Sequence, residues 1–125
     1  MERVLGIGGV FVRARNPEGL AAWYSAILGI DLVPSDYETP PWRQTAGTCV
    51  FAPFDENTTY FPLGQQMMLN FRVRDLDAMI GQLTASGIEV TPDPENPHPN
   101  GRFAWAHDPE GNRFELWEPA GETYS

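Results

Sequence analysis

The amino-acid sequence predicts an α+β domain that contains two tandem βαβββ modules. The same order of elements, a strand, a helix and then further strands, occurs in residues 5–54 and again in residues 66–118. Each half carries one amphipathic helical segment between apolar runs that favour strands. A shift of 58 residues also aligns residues 29–32 with residues 87–90, as expected for an internal repeat.

The first module, about residues 4–54, contains one helix with both of its ends marked. Asn16 is a typical N-cap residue, Pro17 suits the first helical position, and Gly29 is typical of a left-handed C-cap. Apolar residues between them form one stripe, Leu20, Trp23, Tyr24, Ile27 and Leu28. Runs rich in Val, Ile and Phe predict strands at residues 5–13, 30–33 and, as one or two strands, 43–54.

A polar connector, residues 55–65, leads into the second module, which covers about residues 66–119. Its helix begins after Asp75, an N-cap residue, and ends at Gly87. Its predicted strands are residues 66–73, 88–91, 102–107 and 113–118. Residues 108–112, Asp-Pro-Glu-Gly-Asn, have the composition of a tight turn between the last two strands.

One alternative architecture is a single ferredoxin-like domain, which also begins with a strand, a helix and a strand. That fold ends with a helix and a strand, whereas three strands follow the last helix predicted here. The duplicated arrangement therefore fits better, and we expect both modules to form one domain over residues 1–125.

Charge and composition exclude several functions. The net charge is −9, and so acidic a surface repels the phosphates of nucleic acids. All eight basic residues are Arg, which excludes Schiff-base and phosphate-loop lysines. No apolar run approaches the ~20 residues that cross a bilayer, and the N-terminus lacks a secretory pattern, so we expect a cytoplasmic protein without membrane contact. The single Cys49 excludes an intramolecular disulfide, and we expect it to be an inert buried thiol.

Several short stretches follow one another in a known order. They are Gly-Ile-Gly-Gly-Val-Phe (6–11), Asn-Pro-Glu-Gly-Leu-Ala-Ala-Trp-Tyr (16–24), Leu-Asn-Phe-Arg-Val-Arg-Asp-Leu-Asp (69–77) and His-Asp-Pro-Glu-Gly-Asn-Arg-Phe-Glu-Leu-Trp-Glu-Pro (107–119). In this order they resemble the vicinal oxygen chelate superfamily of glyoxalases, bleomycin resistance proteins and extradiol dioxygenases. The resemblance implies two βαβββ modules whose sheets curl around a cleft, commonly completed by dimerisation. We therefore expect a homodimer.

The resemblance also implies where a metal would be held. Metal-dependent members carry a His or similar ligand on the first strand of each module and a Glu on a late strand of each. The matching positions here are Gly9, Met68, residues 48–54 and Glu115. Gly has no side chain, a thioether suits soft metals, and residues 48–54 contain no carboxylate. Because only Glu115 is retained, we expect no cofactor, with a divalent metal as the lesser alternative.

Strand alternation predicts which side chains face the cleft. The catalytic candidates are Glu115 as general base, with Asn70 or Arg72 polarising a carbonyl. The candidates for ligand binding are mostly aromatic: Phe11, Met68, Trp42, Phe51, Phe103, Trp105 and Trp117. The pattern leaves open that Glu115 forms a structural ion pair with Arg113 or Arg72. It also leaves open that the tryptophans belong to the core.

These residues favour a metal-free binding protein of the bleomycin-resistance kind, with a small ligand in an aromatic cleft. The net charge of −9 favours a cationic or neutral ligand. One alternative is a lyase, isomerase or epimerase of the glyoxalase type with Glu115 as base. A further alternative is an extradiol dioxygenase-like oxidoreductase, although His98 and His107 lie off the ligand pattern. A protein–protein interaction module has no specific support.

Overall fold

The computed structural model describes residues 1–124, with side chains described through residue 122. It has the α+β architecture predicted from the sequence. The elements in chain order are α1 (Pro17–Leu28), β1 (Leu69–Arg72), α2 (Leu76–Ala85), β2 (Thr91–Pro92), β3 (Gly101–His107), β4 (Arg113–Pro119) and the short α3 (Gly121–Tyr124). No helix within this part of the chain is long and apolar enough to cross a membrane.

The strands form one open mixed sheet in the order β1-β4-β3-β2. β1 lies parallel to β4, and β3 is antiparallel to both β4 and β2. The predicted βαβββ order of the second module is therefore present. β1 and β2 are shorter than the predicted strands 66–73 and 88–91, because only part of each run pairs with a neighbouring strand.

Helix α1 begins and ends where the sequence predicts. The Asn16 side chain accepts a hydrogen bond from the Gly19 N–H at 3.0 Å. Pro17 occupies the first helical position, where its missing N–H costs nothing. Gly29 follows the helix with φ 73°, a left-handed conformation that a residue with a side chain adopts only with strain.

Helix α2 is tied to the sheet at its first turn. Asp75 caps it by accepting a hydrogen bond from the Ala78 N–H at 3.0 Å. The Leu76 N–H has no acceptor within the helix, because it lies in the first turn. It donates to Oε1 of Glu118 on β4 at 2.9 Å. The helix ends at Ala85, two residues before Gly87. These contacts place α2 against β4, with Leu76 and Leu83 completely buried.

The core lies between the helices and one face of the sheet. Its fully buried members are Leu76, Leu83, Ala104, Ala106, Phe114 and Leu116. Helix α1 adds aromatic contacts: Trp23 lies edge-on to Phe114 with ring centroids 6.1 Å apart, and Tyr24 lies 6.0 Å from Phe71. Alternation of side chains along β4 thus places Phe114 and Leu116 in the core and Glu115 on the opposite face of the sheet.

The strands predicted for the first module are absent from the part of the chain that the structure describes. Residues 5–13, 30–33 and 43–54 have extended or irregular backbone and pair with no other segment within residues 1–124. Because a strand exists only when a neighbour accepts and donates its backbone hydrogen bonds, β-favouring side chains are not sufficient. The first module therefore contributes one regular element, α1.

We predict that Leu83→Ala lowers the free energy of unfolding by about 2–5 kcal/mol, because it leaves a cavity beside Phe114 and Leu116. The matched control is Leu63→Ala, since Leu63 is 77% exposed and its truncation should cost less than about 0.5 kcal/mol. Urea denaturation at one fixed protein concentration measures both changes. Equal losses in the two variants would contradict the assignment of the core.

Candidate functional site

Glu115 is the centre of a polar and aromatic cluster on the sheet face opposite the core. Its side chain is almost fully buried, with the residue 7% exposed. Oε1 accepts a hydrogen bond from Nδ2 of Asn70 at 2.7 Å, and Oε2 accepts one from Nε1 of Trp105 at 2.8 Å. The Tyr60 hydroxyl also donates to Oε2. A buried carboxylate needs such partners, and three neutral donors supply them here.

The strand register brings two of these donors to Glu115. Asn70 on β1 and Trp105 on β3 are both directly opposite Glu115 in the sheet. Residues paired in this way share a face, so the three side chains converge. Tyr60 comes from the connector before β1, and its ring lies edge-on to Trp105 at 6.0 Å.

Arg113 lies two residues before Glu115 on the same face of β4. Its guanidinium carbon is 5.0 Å from the Trp105 ring centroid and 5.6 Å from that of Tyr60, within the range of cation–π attraction. Among the described residues, no carboxylate lies within 4.0 Å of this guanidinium, and its buried Nε–H has no hydrogen-bond partner. The alternative of an ion pair between Glu115 and Arg113 is therefore absent.

The other strand residues predicted to face the cleft have contacts of their own. Arg72 donates to the Thr45 carbonyl at 2.7 Å and not to Glu115. Trp117 is buried, stacks on Phe103 with a centroid distance of 6.1 Å, and donates from Nε1 to the Asn100 carbonyl at 2.8 Å. Phe103 and Trp117 thus extend the aromatic surface of this face beyond Glu115.

Gly101, at the start of β3, allows the close approach of that pair to the strand. A side chain at this position would collide with the Glu118 carbonyl and with Nε1 of Trp117. Its φ of 137° also lies in the region that favours glycine. The glycine therefore helps to position Trp117 on the site face.

Four ligand-binding candidates lie outside the cluster. Phe11, Phe51 and Trp42 are 93%, 86% and 41% exposed, and none contacts Glu115 in a single chain. Met68 is half-buried beside β1. The predicted aromatic walls from the first module are consequently not assembled in one copy of the chain.

Sequence reasoning missed Tyr60 altogether and did not include Arg113 among the catalytic or ligand-binding candidates. Tyr60 lies in a polar connector without periodicity, so no local pattern predicts that it reaches Glu115. Arg113 carried a usable signal, because alternation from Glu115 places it on the same face.

Burial and the neighbouring Glu115 carboxylate raise the pKa of the Tyr60 hydroxyl from 10.0 to about 12. Trp105 and Arg113 oppose this change but do not reverse it. Tyr60 is therefore protonated at neutral pH and acts as a hydrogen-bond donor. With three donors in place, both oxygens of Glu115 are occupied.

The Asp-Pro-Glu-Gly-Asn turn is held by its first residue. Asp108 accepts hydrogen bonds from the backbone N–H groups of Glu110 and Asn112 at 2.9 and 3.0 Å. The Tyr24 hydroxyl of α1 donates to it at 2.7 Å, and burial together with Asp108 raises the pKa of Tyr24. Glu110 in turn accepts the Arg15 and Asn16 N–H groups. The turn thus anchors α1 to the end of the β3–β4 hairpin.

An open surface cavity of ≈ 360 Å³ lies beside the Glu115 cluster. Trp105 and Arg113 belong to the cluster and also line the cavity. Its remaining lining comes from α1, the segment between α2 and β2, the strands and the turn: Trp23, Ile88, Glu89, Thr91, His107, Asp108 and Pro109. The volume is at the lower end of the range for small-molecule sites, roughly 300–1,000 Å³.

Two sets of residues bear on metal binding. At the positions implied by the resemblance, Gly9 and Met68 offer no oxygen or nitrogen side-chain ligand, and residues 48–54 contain no carboxylate. In the β2–β3 loop, ligand atoms of Asp93, Glu95 and His98 lie within 4.8 Å of one another. His98 is 2.8 Å from Asp93, and the Glu95 N–H donates to Asp93, so hydrogen bonds within the loop account for this group.

The βαβββ order, the open mixed sheet and the glutamate on its last strand together define a glyoxalase-like fold. The family model described as Glyoxalase-like domain matches residues 9–117. The chain belongs to this family, and thus to the vicinal oxygen chelate superfamily that the sequence resembles.

Two solved structures illustrate the relationship. TnmS3, an antibiotic binding protein from Streptomyces sp. CB03234, is 25% identical over 94% of this chain and 100% of that chain, with a TM-score of 0.57. A member of the glyoxalase/bleomycin resistance protein/dioxygenase superfamily from Sphaerobacter thermophilus DSM 20745 is 21% identical over 92% of this chain and 98% of that chain, with a TM-score of 0.58. The second likeness concerns the fold alone. No curated protein matches the chain.

We predict that the Tyr60 hydroxyl ionises near pH 12, because burial and the Glu115 carboxylate favour its protonated form. The Tyr60→Phe variant should lack this ionisation. A pKa raised in the folded state means that stability falls as the pH rises from 10 to 12. The wild type should therefore lose more stability than Tyr60→Phe over this interval. Tyrosinate absorbance and urea denaturation measure the two effects, and Glu115→Gln should bring the Tyr60 pKa closer to 10.0. Identical titrations of wild type and Tyr60→Phe would contradict the prediction.

Proposed function

We propose that this protein binds a small aromatic molecule, neutral or cationic, without a metal, at the Glu115 cluster and the adjoining cavity. The observation that carries the proposal is the position of Trp105. Its Nε1 is held by the buried Glu115, and its ring also lines the cavity. A large aromatic surface is thereby fixed in one orientation at the wall of a space that a ligand can enter.

The aromatic character of the ligand follows from the side chains on this face. Trp105 and Tyr60 form an edge-to-face pair, and Phe103 and Trp117 form a stacked pair nearby. Rings held by packing and hydrogen bonds lose little freedom when a ligand stacks on them. Trp23 adds a further aromatic side chain on the α1 side of the cavity.

We expect the ligand to carry a hydrogen-bond acceptor, because the guanidinium of Arg113 lines the cavity and forms no ion pair among the described residues. Hydrogen bonds from a charged donor contribute about 1.5–3 kcal/mol each. A carbonyl or hydroxyl oxygen beside the ligand's ring system would accept from this guanidinium.

The expected charge of the ligand follows from the charged side chains around the cavity. Glu89 and Asp108 line it and Glu115 lies behind Trp105, against the single guanidinium of Arg113. With a net charge of −9 for the whole chain, the field repels anions. A neutral or cationic molecule is therefore favoured.

The contacts of Glu115 favour a binding function over catalysis by proton transfer. A general base must reach the proton that it abstracts, and both oxygens of Glu115 already accept hydrogen bonds from Asn70, Trp105 and Tyr60. Three of the roughly four lone-pair positions of this carboxylate are therefore taken up by contacts within the protein. The structural similarity to TnmS3, an antibiotic binding protein, supports a binding role as well.

We predict that Trp105→Leu weakens the binding of an aromatic ligand at least about 10-fold, since it removes the stacking surface. Arg113→Gln should weaken the binding of ligands that carry a carbonyl acceptor about 10-fold or more. It should weaken the binding of aromatic ligands without such an acceptor much less. The matched control is Tyr37→Leu, because Tyr37 is fully exposed and remote from the cavity lining. Isothermal titration against a panel of neutral and cationic polycyclic aromatics measures these affinities. No binding across the panel by folded wild-type protein would overturn the proposed function.

We also predict that removing metal leaves this affinity unchanged, because the residues at the implied ligand positions supply only Glu115. Titrations before and after treatment with EDTA, together with elemental analysis of the purified protein, check this. One stoichiometric divalent ion whose removal abolishes binding would refute the metal-free part of the proposal.

A further inference from the structure

The connector that carries Tyr60 into the site has no regular structure of its own. Residues 55–65 contain no helix or strand, although two turns fold the segment on itself. Tyr60 nevertheless reaches Glu115 on β4, which is 55 residues further along the chain. An unanchored segment samples many conformations, so this hydroxyl contact alone would be costly in conformational entropy. A second contact is needed to hold the connector against β4.

The side chain of Gln65 makes that contact. Its Nε2 donates to the Arg113 carbonyl at 2.7 Å, and its Oε1 accepts a hydrogen bond from the Arg113 N–H at 2.9 Å. A carboxamide can bind in this way because it carries a donor and an acceptor side by side, as a peptide group does. Nε2 also donates to the Met67 carbonyl at 3.0 Å, which further restrains the amide. Gln65 is half-buried, so water competes less for these hydrogen bonds.

The place of this contact on β4 determines its effect. The pairing of β1 with β4 starts at Leu69 opposite Phe114, so Arg113 lies one residue before the first pair. The Gln65 amide binds both backbone groups of Arg113, as the next residue of a neighbouring strand would. It thereby fixes the backbone from which the Arg113 side chain reaches the two aromatic rings of the cluster.

The same contact limits where Tyr60 can lie. Because only a short stretch of chain joins Tyr60 to Gln65, the Tyr60 ring stays close to Arg113, 5.6 Å from its guanidinium carbon. In this position the Tyr60 hydroxyl donates to Glu115 and accepts a hydrogen bond from Nε1 of Trp105 at 3.1 Å. One amide therefore supports both the phenol and the guanidinium of the site.

From these contacts we infer that Gln65 is the residue that positions Tyr60 and Arg113 in the site. Gln65 itself lies outside the lining of the cavity, so it acts on a ligand only through those two side chains. Its effect on ligand binding rests on the proposed function, whereas the placement of Tyr60 and Arg113 does not.

The placement is tested without a ligand, through the indole N–H resonance of Trp105. This nitrogen is 2.8 Å from Oε2 of Glu115 and 3.1 Å from the Tyr60 oxygen, so its chemical shift depends on where the hydroxyl lies. Gln65→Met keeps the length of the side chain and removes its hydrogen bonds. It should move the Trp105 resonance, which Trp105→Leu identifies by its absence, and leave that of Trp117 in place.

The matched control is Gln66→Met, the same substitution at the next residue, which is exposed. It should leave the indole resonances unchanged. A second variant, Gln65→Asn, keeps the amide but is one methylene too short to reach the β4 backbone, so it should also move the Trp105 resonance. It decides the question if Gln65→Met does not fold. A folded Gln65 variant that loses stability but keeps the wild-type Trp105 resonance would show a purely structural role and overturn the inference.

The pKa of Tyr60 gives an independent readout. Burial and the Glu115 carboxylate raise this pKa from 10.0 to about 12, so a hydroxyl that is no longer held in the site should ionise closer to pH 10.0. Tyrosinate absorbance of Gln65→Met, recorded with and without Tyr60→Phe, isolates this tyrosine from the other three. A Tyr60 pKa equal to that of the wild type in Gln65→Met would contradict the inference.

The consequence for ligand binding is measured with 9-fluorenone and fluorene, which differ in one carbonyl group. Because Gln65→Met displaces the Arg113 guanidinium, it should weaken fluorenone binding about 3- to 10-fold and fluorene binding less. Gln66→Met should weaken neither. Equal weakening of both probes in Gln65→Met would refute an action through Arg113. If the folded wild type binds neither probe, the effect on ligands falls with the proposed function, whereas the Trp105 resonance still decides the placement of Tyr60.

Discussion

The antiparallel pairing of β3 with β4 is the constraint on which the rest of the structure depends. It extends from His107 opposite Arg113 to Gly101 opposite Pro119, and it assigns every side chain of both strands to one of two faces. One face buries the core under the helices, and the other presents Glu115 and Trp105. A slip of one residue would exchange the two faces, placing Glu115 in the core. The register therefore determines the fold and the site together.

The register is set at the turn and not by the strands alone. Asp108 accepts hydrogen bonds from two backbone N–H groups of the turn, and Glu110 accepts two from the start of α1, so hydrogen bonds join the hairpin end to the helix. On the site face, Glu115 is compatible with burial only because Asn70, Trp105 and Tyr60 all donate to it. Its polar network in turn fixes the orientation of the aromatic rings.

Local sequence signals predicted the parts of the molecule that depend on local contacts. The caps at Asn16 and Asp75 and the alternation of β4 act over a few residues, and the structure has them as predicted. Tyr60 could not be predicted, because it reaches Glu115 across 55 residues from a segment without periodicity. The strands of the first module were predicted from β-favouring composition, yet strand formation depends on a partner that composition does not specify. Residues 5–13 and 43–54 have none within the described chain.

The same missing partner explains why the site is only partly assembled. The second module holds the carboxylate, its donors and the cavity, whereas the aromatic residues predicted from the first module, Phe11 and Phe51, face solvent. Because the unpaired strands and the absent walls belong to the same two segments, one event would supply both. Pairing of those segments would add backbone hydrogen bonds, cover apolar surface and close the site in a single step. Pairing of these segments and ligand binding would then be thermodynamically linked, so a ligand that binds the closed site would also stabilise the paired segments.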